Sequence, residues 1–262
     1  MPQPPASGGP PPCSRFAGRS RAYAAARPGY PPAAISTVVA DLAPGAAAVD
    51  LGCGTGIAAR QLAAAGLSVT GVEPEPSMRQ AAIDSGVRCL DGTAEAIPLP
   101  DRSVDLATAF QSFHWFEPHA AIAEIARILR PGGRVALVWN LRESSDPAVR
   151  AYEEILRSAA GHPIAAEAIG RLESLLQQSG GFEGVERFAF PNPHRLHRAA
   201  WIARAESASY FPAGEAADDS RRRLHAAFDR LACGGVVTLA QRCVAIVAKR
   251  SLLPAPRAEP VP

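Results

Sequence analysis

The sequence predicts an α/β fold in which helices cover both faces of a largely parallel, doubly wound sheet. Two stretches carry this expectation. Over residues 46–73 an apolar run, a glycine-rich turn, an alanine-rich helical stretch and a second apolar run succeed one another as strand, loop, helix, strand. Residues 104–140 repeat the order, with strands at 104–110 and 134–139 and a helix at 120–129 between them. Alternation of this kind sets the strands parallel and makes each helix a crossover.

The elements follow from local signals. Residues 1–14 are rich in proline and glycine and read as a disordered tail, as do residues 254–262, which leaves one domain over 15–253. Residues 15–45 form an N-terminal cap, with Phe16, Tyr23, Arg27, Pro28 and Tyr30 ahead of a helix at 33–42 that Pro44-Gly45 ends. The first strand runs into Asp50, the helix over 57–66 follows, and the second strand, 67–72, ends at Glu73. Pro74-Glu75-Pro76-Ser77 turns the chain into a helix over 78–85, and 87–90 makes a third strand. Beyond Asn140, two helices at 143–160 and 164–179 read as a helical insertion over the substrate side, spanning 143–180. A sixth strand is expected at 182–190, helices at 199–208 and 220–231, and a seventh strand within 236–250.

The turn after the first strand carries the chemistry. Glycines lack a Cβ, so the backbone turns sharply and lies against a ligand, with the N–H groups of the next helix facing the same crevice. An acid at the tip of the second strand, here Glu73, accepts hydrogen bonds from the two hydroxyls of a ribose. A dinucleotide loop spaces its glycines G-x-G-x-x-G to seat a pyrophosphate; here Gly52-x-Gly54-x-Gly56 is one residue tighter. Asp50 beside it repels phosphate and suits a cation.

The string Val49-Asp50-Leu51-Gly52-Cys53-Gly54-Thr55-Gly56, closed by Glu73, resembles the first motif of the class I S-adenosylmethionine-dependent methyltransferases. The leading F…Y…RP-x-YP pattern makes the chain similar to the small-molecule, trans-aconitate methyltransferase-like group. The resemblance covers about residues 15–250 and is strongest over 49–140. It implies a Rossmann-like sheet of seven strands, the last antiparallel, with S-adenosyl-L-methionine as cofactor. It implies in-line methyl transfer to an oxygen or nitrogen of a small molecule. Asp50, Gly52, Cys53, Gly54, Thr55 and Gly56 would cradle the cofactor, with Glu73, Pro74 and Met78 at its ribose. Thr93, Ala94 and Glu95 would meet the adenine, and Phe110 and Gln111 close the site at the fourth strand.

For the acceptor, the resemblance points to Tyr23, Arg27 and Tyr30 from the leading segment, and Arg27 would pair with a carboxylate. His114, Trp115 and Phe116 stand just outside the fourth strand, where open sheets bind ligands. His114 is the candidate general base, against a reading in which it only shapes its loop. Arg142, Ser209 and Tyr210, with Trp201 and Ser207, complete the acceptor candidates. Two rivals stay open: a protein that binds S-adenosylmethionine in a structural or cyclase-type role, and a nicotinamide-dependent oxidoreductase, against which the glycine spacing counts.

Composition bounds the rest. Of 262 residues, 47% are hydrophobic and 20% charged, as in a soluble globular protein. A net charge of +2 leaves no basic footprint for nucleic acid, and no N-P-P-Y tetrapeptide follows the fourth strand. The sequence has no apolar run long enough to span a bilayer, and the prolines of the first twelve residues interrupt any signal-peptide core. The five cysteines form no C-x-x-C pair, which argues for reduced thiols and a cytoplasmic location; Cys53 reads as a small buried side chain or, alternatively, a reactive thiol. His114, Glu117, His119 and Glu124 are wrongly spaced to share a helix face, so no metal is expected.

Overall fold

Seven strands make the central sheet of the computed structural model, which describes residues 27–157, 166–208 and 211–252. Tyr23, Ser209, Tyr210 and both expected tails lie outside the described residues. The strands are β1 (Ala47–Leu51), β2 (Ser68–Val72), β3 (Arg88–Leu90), β4 (Val104–Phe110), β5 (Leu129–Arg142) and β6 (Phe182–Pro191). β7 (His194–Leu196) and β8 (Val237–Leu239) pair in a separate small sheet, and β9 (Gln241–Arg250) returns to the main one. The order is β3-β2-β1-β4-β5-β9-β6. β1 to β5 run parallel, and β9 runs against both β5 and β6, as expected.

Both faces of the sheet are buried, because crossover helices cover them. Val49, Leu51, Ala107, Leu137 and Trp139 point to one face, where α4 (Pro118–Ile128) packs Ile122, Ile125 and Ile128. Ala48, Leu106, Ala136 and Val138 point to the other, against α1 (Pro32–Val38) and α2 (Ile57–Ala64). Helix starts have identifiable causes. Glu117 accepts from the His119 and Ala120 amides ahead of Pro118, and Glu75 accepts from Met78 N ahead of Pro76 in α3 (Pro76–Asp84). α4 therefore begins two residues before the expected position.

The later part of the chain departs from expectation in two ways. Of the two helices expected over the substrate side, α5 (Pro147–Arg157) does sit apart from the sheet, but α6 (Ala166–Gln178) does not. Ile169 and Leu176 of α6 join the main core, with Leu172 and Leu175 beside them, so its apolar stripe belongs to the sheet's helical layer. The covering unit is instead α5 with α7 (Arg198–Glu206), α8 (Glu215–Leu231), β7 and β8, held by a core of its own that includes Tyr152, Trp201, Leu224 and Phe228. The expected seventh strand is also divided: Val237–Leu239 pairs with β7, and only Gln241 onward joins the main sheet. No helix among the described residues is long and apolar enough to cross a membrane.

β1 is the place where the winding reverses, with β2 and β3 laid to one side and β4 to the other. In open parallel sheets the crevice outside the strand ends at such a reversal is where ligands sit.

Candidate cofactor and acceptor site

A cleft of about 280 Å³ opens at that reversal, beyond the carboxyl ends of β1, β2 and β4. Asp50 borders it from β1 and is only 1% exposed. Thr108 Oγ1 lies 3.0 Å from Asp50 Oδ1, while Asp50 Oδ2 has no hydrogen-bond partner among the described residues. Burial pushes the Asp50 pKa up to about 7; the Thr108 hydroxyl opposes the shift and the charge of Glu73 adds to it. The Thr55 hydroxyl, also buried on the cleft wall, likewise lacks a partner among the described residues.

Glu73 fastens the glycine turn. Its Oε2 accepts from Gly54 N at 2.8 Å and its Oε1 from Glu75 N at 3.0 Å. Burial holds its pKa above the ordinary carboxylate value, and these two backbone donors limit the rise. Gly52 shows why the turn needs a glycine: its φ is 61°, and a Cβ there would stand 2.7 Å from the Ser112 Cβ. Ser112 in turn donates to Leu51 O at 2.6 Å, binding the loop after β4 to the end of β1. Gln111 is held at φ 57°, its N–H donating to Val138 O and its side chain to Asn140 O. Such a left-handed non-glycine residue at a cleft edge stores backbone strain.

Most of the expected cofactor residues meet here. Asp50, Gly52, Cys53, Gly54 and Thr55 line the cleft from β1 and its turn, and Glu73, Pro74 and Met78 line it from beyond β2. Thr93, Ala94 and Glu95 join from the loop after β3, with Phe110 and Gln111 from β4. Gly56 does not line the cleft: its backbone, at φ 77°, makes the N-terminal turn of α2.

Among the acceptor candidates, Arg27, Tyr30, Trp115 and Phe116 line the cleft. The leading segment is tied down through its backbone. Gln61 of α2 accepts from Tyr30 N and donates to Tyr30 O, at 2.9 and 2.8 Å. Asn140 and Asn192 both donate to Gly29 O, at 3.3 and 3.1 Å. The Tyr30 ring then meets Phe110 edge-on, with centroids 4.5 Å apart.

His114 and Arg142 do not line the cleft. His114 Nδ1 accepts from Trp139 Nε1 at 3.4 Å, and its ring is tilted against Trp115. Partial burial among these rings lowers its pKa from the ordinary histidine value, while one edge stays open to solvent. Arg142 pairs with Glu153 of α5 at 2.9 Å and lies over the Tyr152 ring, joining β5 to the covering unit. Trp201 and Ser207 are structural: the indole donates to Leu224 O and the hydroxyl to Arg204 O.

Pro28, Ile57, Ala58, Ser112, Asn140 and Arg204 also line the cleft and were not among the site residues expected from the sequence. Arg204 is 4% exposed on α7, and its Nη2 donates to Gln241 Oε1 at 3.3 Å. Its sequence neighbours, in an alanine- and arginine-rich helix, give no sign of burial; α7 is drawn inward by Trp201.

Comparison with known proteins settles the family. Residues 49–137 match a family model described as a methyltransferase domain. Over 184 residues the chain is 32% identical to an uncharacterised methyltransferase of Schizosaccharomyces pombe, an alignment covering 66% of this chain and 73% of that one. The chain belongs to the class I S-adenosylmethionine-dependent methyltransferases. An uncharacterised methyltransferase of Mycobacterium tuberculosis is 45% identical over 155 residues, 55% of this chain, and the chain spans 62% of that relative's length. The class I fold is also that of a solved structure from Anabaena variabilis, named for a methyltransferase role in antibiotic biosynthesis. It superposes with a TM-score of 0.64 at 22% identity, covering 85% of this chain and 98% of that one. The matched residues include the glycine turn, Gly52 to Gly56, and Glu73.

Proposed function

We propose that this protein binds S-adenosyl-L-methionine and transfers its methyl group to an oxygen or nitrogen of a small-molecule acceptor. The observation that carries the reading is Asp50 Oδ2, a buried carboxylate oxygen on the cleft wall without a partner among the described residues. An ammonium group satisfies that oxygen, and a phosphate would be repelled. When bound, S-adenosylmethionine supplies an electrophilic methyl on a sulfonium.

The chain's own residues do the rest. Asp50 holds the ammonium, and Glu73 uses its remaining lone pairs for the ribose hydroxyls while still clasping Gly54. Tyr30, Phe110, Trp115 and Phe116 form an aromatic wall that keeps water from the reacting centre. Arg27 and Arg204 make the acceptor end basic, which favours acceptors that carry a carboxylate or other anion. Alignment of acceptor and methyl in such a cleft is worth about 7–11 kcal/mol of barrier. His114, engaged with Trp139 outside the cleft, has no part in this reading.

The test is calorimetric titration with S-adenosylhomocysteine, followed by a screen of small-molecule acceptors for the mass gain of a transferred methyl. Binding of NADH with no response to S-adenosylhomocysteine would overturn the reading. Tight adenosyl binding with no acceptor methylated would replace it with the non-methylating role.

A further inference from the structure

Two thiols meet beneath the glycine turn. β2 lies between β1 and β3, and in register Gly71 stands beside Asp50 on one side and Cys89 on the other. Over Gly71, Cys53 Sγ and Cys89 Sγ approach to 3.4 Å. The missing side chain of Gly71 makes this possible: a Cβ there would lie 2.5 Å from Cys53 Sγ and 3.2 Å from Cys89 Sγ. The two thiols differ in setting. Cys53 is 9% exposed and forms part of the cleft wall, whereas Cys89 sits on an edge strand, half-buried and outside the cleft lining. Among the other described cysteines, Cys243 is buried and Cys233 is exposed.

The pair is also poised chemically. The contact with Cys89, together with burial and the nearby Asp50 carboxylate, keeps the proton on Cys53. The same contact, with the Cys53 thiol as donor, lowers the Cys89 pKa from its ordinary value, and Arg79 assists. Cys89 is thus the nucleophile nearer solvent and Cys53 the partner that resolves.

We propose that Cys53 and Cys89 form a redox-modification site, closed to a disulfide by a peroxide and reopened by thiols. The Cys89 thiolate attacks hydrogen peroxide: an S–O bond forms, the O–O bond breaks, and the departing hydroxide takes up a proton as water. Cys53 sulfur then attacks the sulfenic sulfur. The S–S bond forms, the S–O bond breaks, and hydroxide leaves with the Cys53 proton as a second water. Two thiols are oxidised by two electrons, and one peroxide is reduced to two waters. A disulfide needs its sulfurs about 2.05 Å apart, so closure draws them together by more than an ångström. Cys89 is held by the β2–β3 ladder, so the glycine turn supplies the movement, and Gly54 N–H shifts relative to Glu73. Oxidation therefore weakens cofactor binding. That last step rests on the function proposed above, while the disulfide itself does not.

The experiment treats the reduced full chain with equimolar hydrogen peroxide, blocks remaining thiols, and maps linkages by mass spectrometry after digestion. S-adenosylhomocysteine affinity is measured calorimetrically before oxidation, after it, and after dithiothreitol. The expected result is a Cys53–Cys89 linked peptide in most molecules and an affinity at least tenfold weaker, restored by dithiothreitol. Cys89→Ser and Cys89→Ala, either of which serves if the other fails to fold, keep the reduced protein's affinity and ignore peroxide. The proposal is overturned if no such linked peptide forms, if peroxide consumes Cys233 instead, or if the linked protein binds as the reduced one does. A reduced protein that ignores S-adenosylhomocysteine refutes the cofactor assignment, and the linked peptide still decides the thiol pair.

Discussion

Replacing Glu73 by glutamine keeps the shape of the side chain and removes what the cleft uses. Both carboxylate oxygens accept backbone N–H groups, from Gly54 at 2.8 Å and from Glu75 at 3.0 Å. An amide offers one oxygen and one NH₂, so in Glu73→Gln one of these two donors faces another donor whichever way the amide turns. Leaving one buried N–H unsatisfied costs about 1–3 kcal/mol of stability. In a domain of this size that lowers the melting temperature by roughly 3–9 °C. Losing the charge also removes the stronger of the hydrogen bonds to the ribose hydroxyls, about 1.5–3 kcal/mol for an ionised acceptor. S-adenosylhomocysteine affinity should therefore fall roughly 10- to 100-fold, at about 1.4 kcal/mol per decade. Calorimetric titration below the melting point of the variant measures this directly, with thermal unfolding recorded in parallel. A folded Glu73→Gln protein that binds S-adenosylhomocysteine within twofold of the parent would refute the assignment of Glu73 to the ribose.

Four further outcomes follow from the same geometry. Asp50 carries a pKa of about 7 in the folded protein against an ordinary 3.8, so the fold binds its proton more tightly than the unfolded chain does, and stability falls as pH rises between those values. Asp50→Asn should then raise the melting temperature of the ligand-free protein at pH 8 much more than at pH 4, while weakening S-adenosylhomocysteine binding; an equal effect at both pH values would contradict the linkage. Gly71→Ala puts a Cβ 2.5 Å from Cys53 Sγ and should destabilise by about 1–3 kcal/mol in chemical denaturation, with partial recovery when Cys53→Ala is added. His114→Ala should retain most of the methyl-transfer rate with an unaltered pH profile, because the ring faces Trp139 and not the cleft; loss of the acidic limb, where protonation silences a base, would restore it as the base. Arg142→Met removes the 2.9 Å ion pair with Glu153 from a nearly buried setting and should cost about 3–5 kcal/mol in unfolding free energy, and a loss under 1 kcal/mol would show that the pair is solvated.

What the sequence revealed and what it concealed divide along the range of the interactions. Asp50, Gly52, Cys53, Gly54 and Thr55 are neighbours in the chain and in the cleft, so the one motif that carries the family resemblance located them together. Glu73 was legible because one helix and one strand carry it back to the same edge. Gly56 stands outside the cleft lining for a local reason as well, since it caps the start of α2. Arg204 and Asn140 reach the cleft only through tertiary packing, of α7 against its own small core and of β5 beside β9, which no local pattern encodes. The same limit explains α6: its stripe of Ile169, Leu172 and Leu176 announced a buried face without saying which surface would bury it. His114 has the right residue type beside the right strand, yet the Trp139 indole from the next strand engages its ring.

The hydrogen bonds described for the leading segment at Gly29 and Tyr30 engage main-chain atoms: Gln61 grips the N–H and the carbonyl of Tyr30, while Asn140 and Asn192 share the Gly29 carbonyl. Side chains from three other parts of the chain thus set the path of the backbone there, and the buried Tyr30 ring adds its own hold through Phe110, so the leading segment is fastened to the sheet at both main chain and side chain.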